Sequence, residues 1–413
     1  MADTTWIGAA GEVAQISTAT PANPNTLDVY FLTVNGNTVS FTVAGTETVA
    51  AVTAGLVAAW NASTYVELTE VTAVDSTTLV TLTADTAGLP FTVTSAITDG
   101  AGGSAPTLTM ATPTAATGPN HWSDAANWDT GSVPVNSDVV WIENTAVDIL
   151  HGLAQSAVTL TALNVAASFT GNIGLAVTNP AGYPEYRATY LAIKATAVDI
   201  GYGDGSGSSR IKLDLSTAQS AINVHATGSG SDGAAPALVI QGTHASNVAT
   251  VLSGEVGFGF YGGESVTVAT LHVYGDSVVE VGQSATLTTI AKRGDGSLVL
   301  RDNATTIVVD GGTVEYRDDD GAVTTLTINS GSVEYYSGQT ITTLRVGANA
   351  IFALPSLLGT SGPTVTNCTA AALSEIADPY GQITFTNGVI LDGGVSLADV
   401  ILDVGAGRTL TPS

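Results

Sequence analysis

The chain has 413 residues, with 36 acidic side chains against 10 basic ones, a net charge of −26 at pH 7 and only 11% charged residues. That balance excludes a nucleic-acid partner, whose phosphates it would repel, and an anionic membrane surface. The length exceeds one ordinary compact core, so several domains or one elongated stack are expected, and a single cysteine, Cys368, excludes an intrachain disulfide.

Taken in order, the opening MADTTWIGAAGEV has no basic and long apolar run of a secretory signal, and no stretch matches a membrane span. Residues 1–26 are polar and punctuated by Pro21 and Pro24. They read as an N-terminal arm, with a short strand at Val13–Ile16, of a kind that orders against a partner. Residues 27–98 read as a small α/β domain. Leu27–Val34 and Thr38–Val43 alternate on either side of Asn35-Gly36, a hairpin signal. Thr46 is the expected N-cap of a helix whose Val49, Val52, Leu56, Ala59 and Trp60 share a face, ended by Asn61. Strands at Val66–Val74, Thr78–Ala84 and Phe91–Ser95 complete one expected sheet under that helix.

The string VYFLTVNGNTVSFTVAGTETVAAVTAGLVAAWNAS, followed by VTAVDSTTLVTLTADTAGLPFTVT, resembles a small module of tailed-phage virion proteins. The likeness covers Asp28 to Thr98 and carries no catalytic residues. It implies a part in virion attachment or assembly.

Residues 99–120 are Gly, Ala, Pro, Ser and Thr with almost no charge and read as a linker. Residues 121–143 follow the pattern Trp122, Asn127-Trp128, Gly131, Pro134, Asp138 and Val139-Val140. This resembles the motif that opens many bacterial and phage β-helices, which implies an N-terminal cap built on Trp122, Trp128, Pro134 and Asp138. A solenoid needs one, because its first coil otherwise bares an apolar end and free strand edges. The alternative is that the two tryptophans stack on sugar rings.

Residues 144–413 are nearly all short strands, and Val266 to Pro355 repeat one unit five times. Each copy steps through threonines into a buried residue, Leu271, Ile290, Ile307, Leu326 and Leu344, at gaps of 19, 17, 19 and 18. A second strand then follows in each: Val279-Glu280-Val281, Leu298-Val299-Leu300, Val314-Glu315-Tyr316, Val333-Glu334-Tyr335 and Ile351-Phe352-Ala353. One copy cannot bury its own apolar face, whereas stacked copies can. The expected fold class is therefore mainly β, the α/β domain being followed by a single-stranded parallel β-helix, with a β-sandwich as the alternative. A long loop is expected at 171–190, and a short helix from Thr369 to Ala377.

Few residues offer chemistry. Glu280, Glu315 and Glu334 fall in equivalent positions, interrupted by Val299, with Arg301 and Arg317 two residues on. The pattern suits a solvated face of compensating charges. A glycosidase would need paired carboxylates on such a face. Asp318-Asp319-Asp320-Gly321, Asp204 and Asp232 read as solvated turns rather than Ca²⁺ sites. His121, His151, His225, His244 and His272 lack zinc spacing, and Cys368 reads as a small buried residue. Gly201-Tyr202-Gly203-Asp204-Gly205 is followed by no βαβ pattern, and Lys292-Arg293 is a lone dibasic pair. No catalytic, metal or cofactor residue is assigned.

The resemblances imply a non-enzymatic virion protein of capsid decoration or cement type on the virion surface. It would dock on the major capsid protein or other virion proteins, form a homotrimer by analogy with phage spikes, and bind neither nucleic acid nor membrane. The alternatives are a tail fibre or tailspike that binds or cleaves host glycan, and a bacterial surface adhesin.

Overall fold

The computed structural model describes residues 2–45, 48–100, 103–318, 321–356, 358, 362–392 and 400–403. Strand makes up 48% and helix 5%, and one parallel sheet of about 22 strands holds most of the chain. The protein is a parallel β-helix with a small α/β part at its N-terminal end.

Two core columns build the helix. The anchors Leu271, Ile290, Ile307, Leu326 and Leu344 stand in register on successive coils. The column continues upstream through Ala249, Ile222, Val198, Leu163 and Val140 to Thr4, and downstream to Cys368 and Val389. The second column holds Ile211, Leu238, Val256, Val279, Leu298, Val314, Val333, Phe352, Ile376 and Leu402. All these pairings are parallel, which excludes a sandwich of hairpins. Alternation sends every second side chain inward, and coil-to-coil stacking lets Val, Ile and Leu lie over their own kind. Tyr316 and Tyr335 do the same, with rings 4.7 Å apart and 5° from parallel. The threonine steps form their own outward column: Thr270, Thr289, Thr306, Thr325 and Thr343.

Residues 1–26 are not a free arm. Asp3–Thr5 is the first rung of the β-helix, parallel to Val139–Ile142. Ile16–Ala22 is a central strand of the small domain, between Val80–Ala84 and Thr107–Thr114. The chain thus begins the solenoid, leaves it after Trp6 to build the α/β domain, and returns at Trp122. The second partner strand, Thr107–Thr114, lies within the stretch read as a linker. Its exposed, Pro113-bearing sequence is that of a sheet edge.

The domain has two sheets rather than one: Val71–Asp75, Val80–Ala84, Ile16–Ala22 and Thr107–Thr114 in that order, and Asn37–Thr42, Val29–Val34 and Thr94–Thr98. Helix Val49–Asn61 packs across them through Val52, Leu56 and Trp60. Trp60 Nε1 donates to the carbonyls of Leu68 and Val71. The N-cap is Thr48, which accepts from Ala51 N; Thr46 lies outside the described residues. Gly55 is required inside this helix, because a Cβ there would meet the Phe41 ring at 2.0 Å. Val66–Thr69 is a helical turn, and the strand begins only at Val71. Thr364–Ala370 and Glu375–Ala377 are strands, so no helix forms at 369–377. Pairing with Leu344 and Phe352 overrides the helix-forming composition there.

Candidate functional site

Of the four residues expected to cap the β-helix, Trp122 and Trp128 come together in the core. Trp122 and Trp128 are buried edge-to-face at 4.7 Å, and Trp6 joins Trp128 at 5.2 Å. Trp128 Nε1 donates to Trp122 O at 2.9 Å. No ring face is left for a sugar, so the stacking alternative for these tryptophans fails. Pro134 is buried. Asp138 accepts from Ala2 N at 2.9 Å and Val135 N at 3.0 Å, and these two backbone donors hold its carboxyl below the ordinary range. Asp129, which sequence reasoning missed, closes the outer edge of the first strand. Its N–H donates to Thr5 O and its Oδ1 accepts from Thr5 N at 2.8 Å.

The charged column forms as read. Glu280, Val299, Glu315 and Glu334 are in register on four coils. Arg301 pairs with Glu280 at 2.5 Å, and Arg317 pairs with Glu315 at 2.7 Å. Arg317 also lies 4.3 Å over the Tyr336 ring, and the Tyr336 hydroxyl donates to Glu334 at 2.7 Å. Each carboxylate therefore has a cation or hydroxyl partner. Such half-exposed pairs are worth at most about 1 kcal/mol each.

A second polar cluster was invisible in the sequence. Lys212 stands on strand Ile211–Asp214 and points away from the core, yet it is 1% exposed. Loops from three coils cover it. Its ammonium lies 2.5 Å from Asp232, without a hydrogen bond of good angle, and 4.7 Å over the Tyr261 ring. Tyr261 donates to Asp232 at 3.0 Å, and Tyr190 donates to Glu264. Burial lowers the pKa of Lys212 and raises that of Glu264. Asp232, read as a solvated turn residue, is thus the counter-ion of a buried lysine.

The 171–190 loop reaches the small domain. Arg187 pairs with Glu70 at 3.2 Å and Glu185 at 3.1 Å, and donates to Pro90 O at 2.7 Å. Tyr183 donates to Glu70 at 2.8 Å. The domain and the β-helix are clasped together by one buried guanidinium. At the same junction the His121 and His151 rings lie 5.0 Å apart, tilted by 49°, and burial pushes His151 down to about 3.

The remaining residues stay apart. His225 faces Asp199, His244 accepts from Ser246 N, and His272 stacks on Tyr274. Among the described residues no group of His, Cys, Asp and Glu could hold a metal ion. Asp318 is buried, accepting from Tyr316 and from Gly321 N, and is not a solvated turn residue; Asp319 and Asp320 lie outside the described residues. Asp204 is exposed. Cys368 sits in the first core column, its thiol pushed up to about 12 by burial.

Comparison with family models, with curated proteins and with solved structures gave no match.

Proposed function

We propose that this chain is a non-enzymatic structural protein of a tailed-phage virion, of capsid decoration or cement type. The observation that carries the reading is the clasp through Arg187, which joins a small domain to one closed end of a β-helix. A rod fixed at one end to a compact domain suits docking and projection. The likeness of residues 28–98 to a virion module supplies the setting. The compensated column at Glu315 and Glu334 supports a surface role over acid–base catalysis, because both carboxylates are engaged. In this reading the domain docks on the major capsid protein or other virion proteins, and the rods associate as homotrimers. Quantitative mass spectrometry of purified particles tests it: decoration requires hundreds of copies per particle, and a chain missing from particles overturns it.

The second reading is a tail fibre or tailspike that engages host glycan. It is favoured by an open groove on the flank of the β-helix, lined by Lys194, Thr196, Thr217 and Gln219 beside Ala221 and Val248.

A further inference from the structure

A groove of about 660 Å³ on the β-helix flank runs across successive coils from Thr159 to Val248. That volume lies within the range of small-ligand sites. Its floor is apolar, with Ala218, Ala221 and the exposed Val248. Its walls carry Thr196, Thr217, Gln219, Ser246 and Lys194. None of these five side chains is engaged by another side chain or carbonyl of the protein, so the groove offers several uncommitted hydroxyl, amide and ammonium donors. Ser220 is spent, its hydroxyl donating to Ala195 O.

The charge of this groove is unlike that of the chain. There are 36 acids in the sequence, and not one lines it. The three lysines divide sharply. Lys212 and Lys292 are buried, one against Asp232 and one against the Gly294 carbonyl. Lys194 alone reaches solvent, half-buried in the groove wall and without an ion pair. A free ammonium in a carboxylate-free groove calls for a ligand that brings its own negative charge. The surrounding hydroxyls and amide call for one rich in hydroxyls and ring oxygens, and the apolar floor suits a sugar's carbon face.

We propose that this groove binds an oligosaccharide bearing a carboxylate, of the uronic-acid class, with the carboxylate on Lys194. The inference does not depend on where the chain resides. The net negative charge does not forbid it, because at physiological salt repulsion is screened beyond about 8 Å.

The test is calorimetric titration of the full chain with hexagalacturonate, and in parallel with the uncharged isomaltohexaose, in physiological salt. Binding of the acidic probe is expected, with little or none of the neutral one. Lys194→Ala should weaken it about tenfold or more, as loss of a charge-assisted bond implies, while Lys194→Arg keeps it. Ala221→Trp, at an exposed position, should block it by filling the groove with the charge intact. Thermal melts show that each variant is folded. No binding of the acidic probe overturns the proposal. So does equal binding of the neutral probe, indifference to Lys194→Ala, or survival of binding in Ala221→Trp.

Discussion

Lys292 occupies a core position, in register between Val273 and Val309, and is fully buried. Its ammonium leaves the apolar column and donates to Gly294 O at 2.8 Å. The sequence shows only a dibasic pair, and nothing in it says that Lys292 faces inward. Lys212 was equally illegible, because Asp232, Tyr190 and Tyr261 come from separate loops whose approach only the coil stacking decides. Asp232→Ala strands that ammonium, and the expected loss is about 3–5 kcal/mol. Lys212→Met combined with Asp232→Leu should recover most of it. Urea unfolding of the single and double variants measures this, and equal losses would contradict the buried-pair account. His151 gives a pH prediction. Its pKa drops from 6.5 to about 3, mainly through burial and then through His121 and Arg187. The unfolded chain therefore takes up the proton first. Stability from this site is complete above about pH 6.5 and falls as the pH drops toward 3. His151→Gln should flatten the dependence of Tm on pH in that window; an unchanged slope would assign the acid sensitivity elsewhere.

At the scale of elements, the repeats were legible because two physical signals coincide. Alternation marks which residues point inward, and a period near 19 returns the chain to the same wall. Upstream, around Leu238–Gln241 and Val248–Val251, loops of unequal length blur the period. The two signals failed for Asp3–Thr5, a three-residue polar strand that belongs to the stack through backbone pairing and a buried Thr4. They failed too for Thr107–Thr114, a mostly exposed edge strand whose apolar alternation is confined to Leu108 and Met110. The 171–190 loop was visible as a loop, but not as the clasp it forms. Arg187→Ala leaves Glu70 and the 2% exposed Glu185 side chain without their cation. The α/β domain should then melt separately from the β-helix. Differential scanning calorimetry should show two transitions in the variant and one in the parent; a single transition in both would place the coupling outside Arg187.

For the whole molecule, thirteen rungs from Thr4 to Val389 make a rod roughly 58 Å long at about 4.8 Å per coil. The N-terminal end does not invite another chain to extend the sheet, because Asp129 occupies the outer edge of the first strand and three tryptophans close the core. The domain is clasped near that closed end through Arg187. The high negative charge favours solubility and opposes indiscriminate association. The fold was therefore largely written in the repeat, whereas the sites lay in contacts between distant coils. The most direct test of the virion account is a cryo-EM map of intact particles, into which the chain is fitted. The account predicts rods at regular positions on the capsid lattice, each with its α/β domain against the shell. Density at the tail tip, or none on the particle, would contradict it.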